Sequence, residues 1–187
     1  MNEQFLVSVK KQFLYYKLLA EKSFDQIEEN QLFVQTNDDT NSIATIVKHM
    51  SGNMLSRWTD IFNTDGEKPW RMRDAEFEND LKNKEQMLLT WNKGWSCFLE
   101  TINSLQASDL ERIIYIRNEG HTVMDAINRQ LAHYSYHIGQ IVFYSKQLKA
   151  GTWNSLSIPR NNSNAYNDKK FAQEKIIKHF TDSELKQ

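Results

Sequence analysis

Four long stretches of this chain carry apolar residues at steps of three and four, and this spacing limits the folds that it can adopt. Residues spaced in this way share one face of an α-helix, so each stretch predicts an amphipathic helix. The 187 residues include only two prolines and six glycines, too few for the many turns of an all-β domain. We therefore predict an all-α four-helix bundle. Its helices are expected at about residues 2–30, 42–62, 74–106 and 122–148.

Two further segments depart from the long-helix pattern. Residues 112–122 contain a run of β-branched and aromatic side chains followed by a turn-like Asn-Glu-Gly sequence, which predicts a small β-hairpin before helix four. A short last helix is expected at about residues 168–180. We accordingly divide the chain into a four-helix bundle at residues 1–150 and a C-terminal loop and short helix docked on it at residues 151–187. The apolar side chains expected to dock that helix are Phe171, Ile176, Ile177 and Phe180.

The net charge and the cysteine content limit which partners and which cellular compartment we expect. Twenty-three basic and 24 acidic residues give a net charge of −1, so we expect no nucleic acid partner. No run approaches the roughly 18 apolar residues of a membrane helix, so no membrane partner is expected. We read no signal peptide, and the single cysteine, Cys97, cannot form an internal disulfide, so a cytoplasmic location is expected. Cys97 is interpreted as a small core residue.

Two histidines lie four residues apart in predicted helix four, His133 and His137. This spacing places both imidazoles on one helix face, about 6 Å apart along the axis, where they can reach one cation. His49 lies beside the apolar stripe of helix two, so a cleft between the two helices would bring it to the pair. The alternative stays open, because such pairs are common and histidines at a core margin are often ordinary hydrogen-bonded residues. His121 and His179 are expected to be solvated.

Two sequence blocks carry a resemblance to a known superfamily. Residues 41–50 (NSIATIVKHM) and 131–141 (LAHYSYHIGQI) resemble the DinB-like (DinB/YfiT) metal-binding four-helix bundles. The stretch at 65–77 looks like one uncharacterised bacterial branch of that superfamily, and the likeness covers roughly residues 5–157. The last predicted helix falls outside this pattern.

The resemblance implies a divalent metal held by His49, His133 and His137. Nickel or zinc is expected, with iron, manganese or copper as alternatives, since imidazole ligands suit several of these ions. Some superfamily members are thiol-dependent transferases or isomerases that use bacillithiol or mycothiol, and others have no assigned reaction. Members are frequently dimers. The implied partners are thus a small-molecule substrate or low-molecular-weight thiol and a second copy of the chain.

Three neutral imidazoles leave coordination positions open, which is the pattern of catalytic rather than structural sites. The first hypothesis is therefore a metal-dependent thiol transferase or hydrolase, and the alternative is a non-catalytic or stress-related protein with a structural metal. Candidates for hydrogen bonds to the outer ring nitrogens are Asn53, Gln130 and Gln140. Arg71 and Arg73 could bind an anionic substrate, but pairing with Glu67, Glu76 or Glu78 is favoured. No general base is identified.

Overall fold

The computed structural model describes residues 2–185 and contains four long helices. They are α1 (Asn2–Phe24), α2 (Ile43–Trp58), α3 (Lys84–Ser104) and α4 (Val123–Lys149). An antiparallel hairpin of β1 (Ile113–Ile116) and β2 (Glu119–Thr122) precedes α4, and a short helix, α5 (Ser163–Phe171), follows it. The predicted all-α bundle with a hairpin before helix four and a short C-terminal helix is confirmed.

The bundle is built from two helix pairs joined through aromatic side chains. Helix α1 packs against α4, α2 packs against α3, and α2 also contacts α4. At the centre, the Phe98 ring lies 4.5 Å from the Phe13 ring and 5.3 Å from the Tyr134 ring, both in edge-on geometry. Trp58 and Trp95 complete this cluster, so all four helices contribute to one core.

Side-chain caps fix where three of the helices begin. Ser42 accepts a hydrogen bond from the Thr45 backbone N–H at 3.1 Å, and Thr122 caps α4 in the same way through Asp125. Helix α3 begins at Lys84 behind its cap, Asn83, rather than near residue 74 as predicted. The residues Asp74–Phe77 form instead a separate 3-10 turn that packs on α2, which removes them from the helix.

The C-terminal segment contacts the bundle mainly through polar groups, although Phe180 of its predicted apolar face lies edge-on to the Tyr15 ring of α1 at 5.7 Å. Helix α5 ends at Phe171 and buries no residue, whereas the prediction placed a docked helix at 168–180. The four apolar side chains chosen for docking are all exposed. Contact is made further on, where Asp182 pairs with Lys11 at 2.6 Å and Thr181 is buried. His179, expected to be solvated, lies 3.1 Å from the Ser8 hydroxyl because this segment folds back on α1.

None of the helices within residues 2–185 has both the length and the apolar character needed to cross a bilayer.

Candidate metal centre

Helices α2 and α4 bring three imidazole rings to one point. The Nε2 atom of His133 lies 3.0 Å from Nε2 of His137 and 3.4 Å from Nε2 of His49. The three ligand atoms all fall within 4.8 Å of one another. Two imidazole nitrogens that each lie about 2.0–2.1 Å from one cation are separated by about 2.9–3.4 Å, depending on the angle at the ion. Both separations from His133 fall in this range, so the group could hold a metal ion.

The outer nitrogens of the two α4 histidines face amide side chains. Nδ1 of His137 lies 2.9 Å from Oε1 of Gln140, and Nδ1 of His133 lies 2.9 Å from Nε2 of Gln130. Gln130 also donates to Oδ1 of Asn53 at 2.8 Å. All three amide residues predicted from the helical spacing thus lie around the histidines, with Asn53 one hydrogen bond further out. Such partners fix the orientation and tautomer of an imidazole.

The Gln130 amide sets the tautomer of His133. An amide nitrogen only donates, so Nδ1 of His133 accepts in this arrangement and the proton of the neutral ring sits on Nε2. That proton faces the Nε2 atoms of His49 and His137. Cation binding through Nε2 of His133 would require the Gln130 amide to turn over, so that its oxygen accepts from Nδ1–H.

Burial keeps the α4 histidines neutral. Desolvation, followed by the proximity of His137, His49 and two arginines, lowers the pKa of His133 from 6.5 to about 3. Desolvation also lowers the pKa of His137, although its hydrogen bond to Gln140 acts in the opposite direction. A neutral imidazole is the form that binds metals, so protons compete weakly for these two rings near neutral pH.

His49 is held by a carboxylate that sequence reasoning did not place here. Oε2 of Glu76 lies 3.0 Å from Nδ1 of His49, and the Phe77 ring stacks on the imidazole at 4.8 Å. Burial opposes ionisation of Glu76, but hydrogen bonds from His49 and Arg71 outweigh it and lower the pKa of the carboxyl group. The only sequence signal was the expected Arg71–Glu76 ion pair, which is confirmed by contacts of 2.8 and 2.9 Å.

The absence of a side chain at Gly52 makes room for Glu76. A Cβ atom built at this position would overlap the Glu76 carboxylate. Glycine in the interior of a helix costs about 0.5–1 kcal/mol relative to alanine. In α2 this residue allows the Asp74–Phe77 turn to approach the backbone beside His49.

The β-hairpin is tied to the connection between α2 and α3. Its turn residues Arg117 and Asn118 both have positive φ, as a two-residue type I′ turn requires. The Asp65 carboxylate accepts both of their backbone N–H groups, at 2.8 and 2.9 Å. Gly66 N–H donates to the Tyr115 carbonyl at 2.8 Å. These contacts hold the Arg117 side chain over the same end of the bundle as the histidines.

A cavity of about 270 Å³ opens beside the three-histidine group. His49 and His133 line it, together with Asn53 and Gln130, and all five remaining lining residues are arginines. A ligand in this cavity could reach the space between the histidines. The arrangement therefore combines a candidate cation site with access from solvent.

The other singled-out residues lie apart from this group. Cys97 packs half-buried against the core, as predicted, with its sulfur 3.5 Å from the Thr59 hydroxyl. His121 lies on β2, and its Nε2 atom is buried rather than solvated because the hairpin folds against the bundle.

Fold and site together define a helical bundle with a three-histidine candidate metal centre. A family model described as "Protein of unknown function (DUF1572)" matches residues 1–162, and the chain belongs to this family. Comparison with curated proteins and with solved structures finds no match.

Proposed function

We propose that this chain is a DinB-like metalloprotein that binds one divalent cation through Nε2 of His49, His133 and His137 and acts on a small molecule. The observation that carries the proposal is the convergence of one ring nitrogen from each of three histidines within 4.8 Å, from two separate helices. The acceptor oxygens that face Nδ1 of His49 and of His137 support it, because they leave the Nε2 atoms of these two rings free for a cation. So does the resemblance of residues 41–50 and 131–141 to the DinB-like bundles. Nickel and zinc are the ions we expect.

A catalytic use is favoured by the surroundings of the histidines. Three neutral imidazoles leave the charge of a divalent ion uncompensated, and such an ion acts as a Lewis acid that lowers the pKa of a coordinated water or thiol. The cavity beside His49 and His133 supports exchange of ligands there. Glu76 orients His49 and Gln140 orients His137, which holds the donor atoms in place. Thiol-dependent transfer and hydrolysis both fit this arrangement.

Titration of the purified protein with Co²⁺, together with elemental analysis, tests the ligand assignment. His133→Ala and His137→Ala should each lower metal affinity by at least about tenfold. His121→Ala is the matched control, because this histidine lies on β2 outside the group, and it should bind as the wild type does. Full retention of stoichiometric metal in both α4 variants would refute the assignment.

Addition of bacillithiol to the cobalt-substituted protein tests the thiol-dependent version. A change in the d–d spectrum supports thiol binding at an open position. An unchanged spectrum at saturating thiol removes the transferase version. If azide also leaves the spectrum unchanged, the site has no exchangeable position and the metal is structural. The homodimer implied by the resemblance stays a prediction, which sedimentation equilibrium tests.

A further inference from the structure

The cavity beside the histidines has an unusual lining. None of its nine lining side chains is apolar and none is acidic, and five are guanidinium groups. These arginines come from four separate parts of the chain: α2, the connection after it, the hairpin turn and α4. They are Arg57, Arg71, Arg73, Arg117 and Arg129. The fold therefore collects positive charge at this place from residues that are distant in the sequence.

The acids near the cavity neutralise only part of this charge. Oε2 of Glu67 lies 3.3 Å from a guanidinium nitrogen of each of Arg57, Arg71 and Arg117. Glu76, which is buried, is a second partner, through Arg71. Asp74 is a third partner, 3.9 Å from Arg73, so five guanidinium groups against three carboxylates leave an excess of two positive charges, in a chain whose net charge is −1. Like charges gathered at a partly enclosed site repel one another, and an anion in the cavity would relieve this repulsion.

The five arginines divide into two groups. Arg71 is saturated, since its side chain is 2% exposed and is bonded to both carboxylates, and Arg57 is buried against Glu67 and the Gly66 carbonyl. Arg73 and Arg117 have side chains that are 50% and 58% exposed. Arg129 is exposed and has no acidic partner within residues 2–185. The second group thus has guanidinium nitrogens free to contact a ligand.

We propose that this cavity is an oxyanion site that binds the carboxylate or phosphate group of a small molecule. Arg73, Arg117 and Arg129 contact the anion, while Arg57 and Arg71 form the wall of the cavity behind it. The planar fork of a guanidinium group matches two oxygens of either anion, which favours arginine over lysine at such sites.

The position of the cavity extends the proposal to the substrate class. A ligand anchored on these arginines lies against His49 and His133, and the 270 Å³ volume admits only a small molecule. That the anion belongs to a substrate rests on the proposed function, whereas anion binding itself does not require a metal.

Calorimetric titration of the chelator-treated, full-length protein tests anion binding without a metal that could itself bind the ligand. The probes are inorganic phosphate and malonate, with malonamide as the uncharged counterpart of malonate. We expect the wild type to bind at least one of the two anions and not malonamide. Binding of phosphate alone assigns phosphate compounds as ligands, and binding of malonate alone assigns carboxylates.

The double variant Arg117→Gln/Arg129→Gln should weaken anion binding by at least about tenfold, because it removes two charged hydrogen-bond donors. Arg160→Gln is the matched control: it removes an exposed arginine from the C-terminal loop and should bind as the wild type does. Circular dichroism checks the fold of each variant. Failure of the wild type to bind either anion, or undiminished binding by the folded double variant, would overturn the oxyanion site.

Cobalt titration of the same proteins separates this proposal from the proposed function. A double variant that keeps its metal affinity but no longer binds the anion supports both the oxyanion site and the metal centre. A wild type that binds phosphate or malonate but no metal keeps the oxyanion site and refutes the metal centre. A wild type that binds metal but neither anion keeps the metal centre and refutes the oxyanion site.

Discussion

Oε2 of Glu76 lies 3.0 Å from Nδ1 of His49, and the same carboxylate receives two hydrogen bonds from Arg71. The carboxylate accepts the Nδ1 proton, which leaves Nε2 of His49 with its lone pair directed at His133. Arg71 in turn holds the carboxylate in position and keeps it ionised. One acid thus determines both the tautomer and the orientation of the α2 histidine.

Glu76→Gln should lower Co²⁺ affinity by about 10–100-fold, the usual effect of losing a partner on the outer nitrogen of a metal-binding histidine. Absorbance titration measures the change. Glu78→Gln removes an exposed acid two residues away and should leave the affinity as it is. Equal affinities of both variants and the wild type would show that Glu76 does not support the site.

Gly52→Ala should weaken metal binding and lower the unfolding temperature, because the added methyl group displaces the Glu76 carboxylate from His49. The control is Gly139→Ala in α4, where an added Cβ meets no atom within 4 Å. That change should instead stabilise the protein by about 0.5–1 kcal/mol. Thermal unfolding with and without Co²⁺ measures both. A Gly52→Ala protein that behaves like the Gly139→Ala protein would contradict the steric role of Gly52.

Gln130→Glu should raise metal affinity severalfold. A carboxylate accepts from Nδ1–H of His133, which leaves Nε2 free of its proton and makes the ring a stronger donor. Gln130→Met, similar in size but without a hydrogen-bonding amide, should weaken binding. Cobalt titrations rank the three proteins, and tighter binding by the Met variant than by the Glu variant would disprove the tautomer argument.

The metal-free protein should lose stability as the pH falls below about 6.5. The pKa of His133 is about 3 in the folded chain against 6.5 for an ordinary histidine, so the unfolded chain binds more protons in this window. The free energy of unfolding therefore decreases with falling pH and is insensitive to this group above about pH 7. Urea unfolding between pH 7.5 and 5 measures the slope. His133→Gln should flatten it, and an unchanged slope would contradict the burial effect.

Phe98→Ala should cost about 3–5 kcal/mol of stability, because the ring contacts aromatic side chains from all four long helices. Phe171→Ala on α5 should cost less than about 0.5 kcal/mol, since that ring is 82% exposed. Urea unfolding measures both. A large loss of stability in the Phe171→Ala protein would instead support the docked helix that the sequence predicted.

The long helices and the pairing of His133 with His137 were predictable because both follow from the fixed period of an α-helix. The amides of Gln130 and Gln140 were predictable for the same reason, since each lies three residues from a histidine on α4. These features depend on one helix at a time, and spacing along the chain determines them.

Glu76 and the arginine cavity were not predictable because they depend on how non-periodic segments pack. The apolar spacing predicted that helix three begins near residue 74. Glu76 and Phe77 instead lie in a separate turn, where they contact His49. The apolar side chain of Ile176 suggested docking but is exposed, whereas Thr181 is buried and Asp182 pairs with Lys11. Which surface an apolar side chain meets is a property of the tertiary fold.

The Glu67 carboxylate is the common counterion of Arg57, Arg71 and Arg117, which come from a helix, a connection and a hairpin. Residues that share one partner do not respond independently to substitution, so their effects on stability are not additive. Across the family, these four positions should therefore covary: a relative that has replaced Glu67 is expected to carry compensating changes at the arginines.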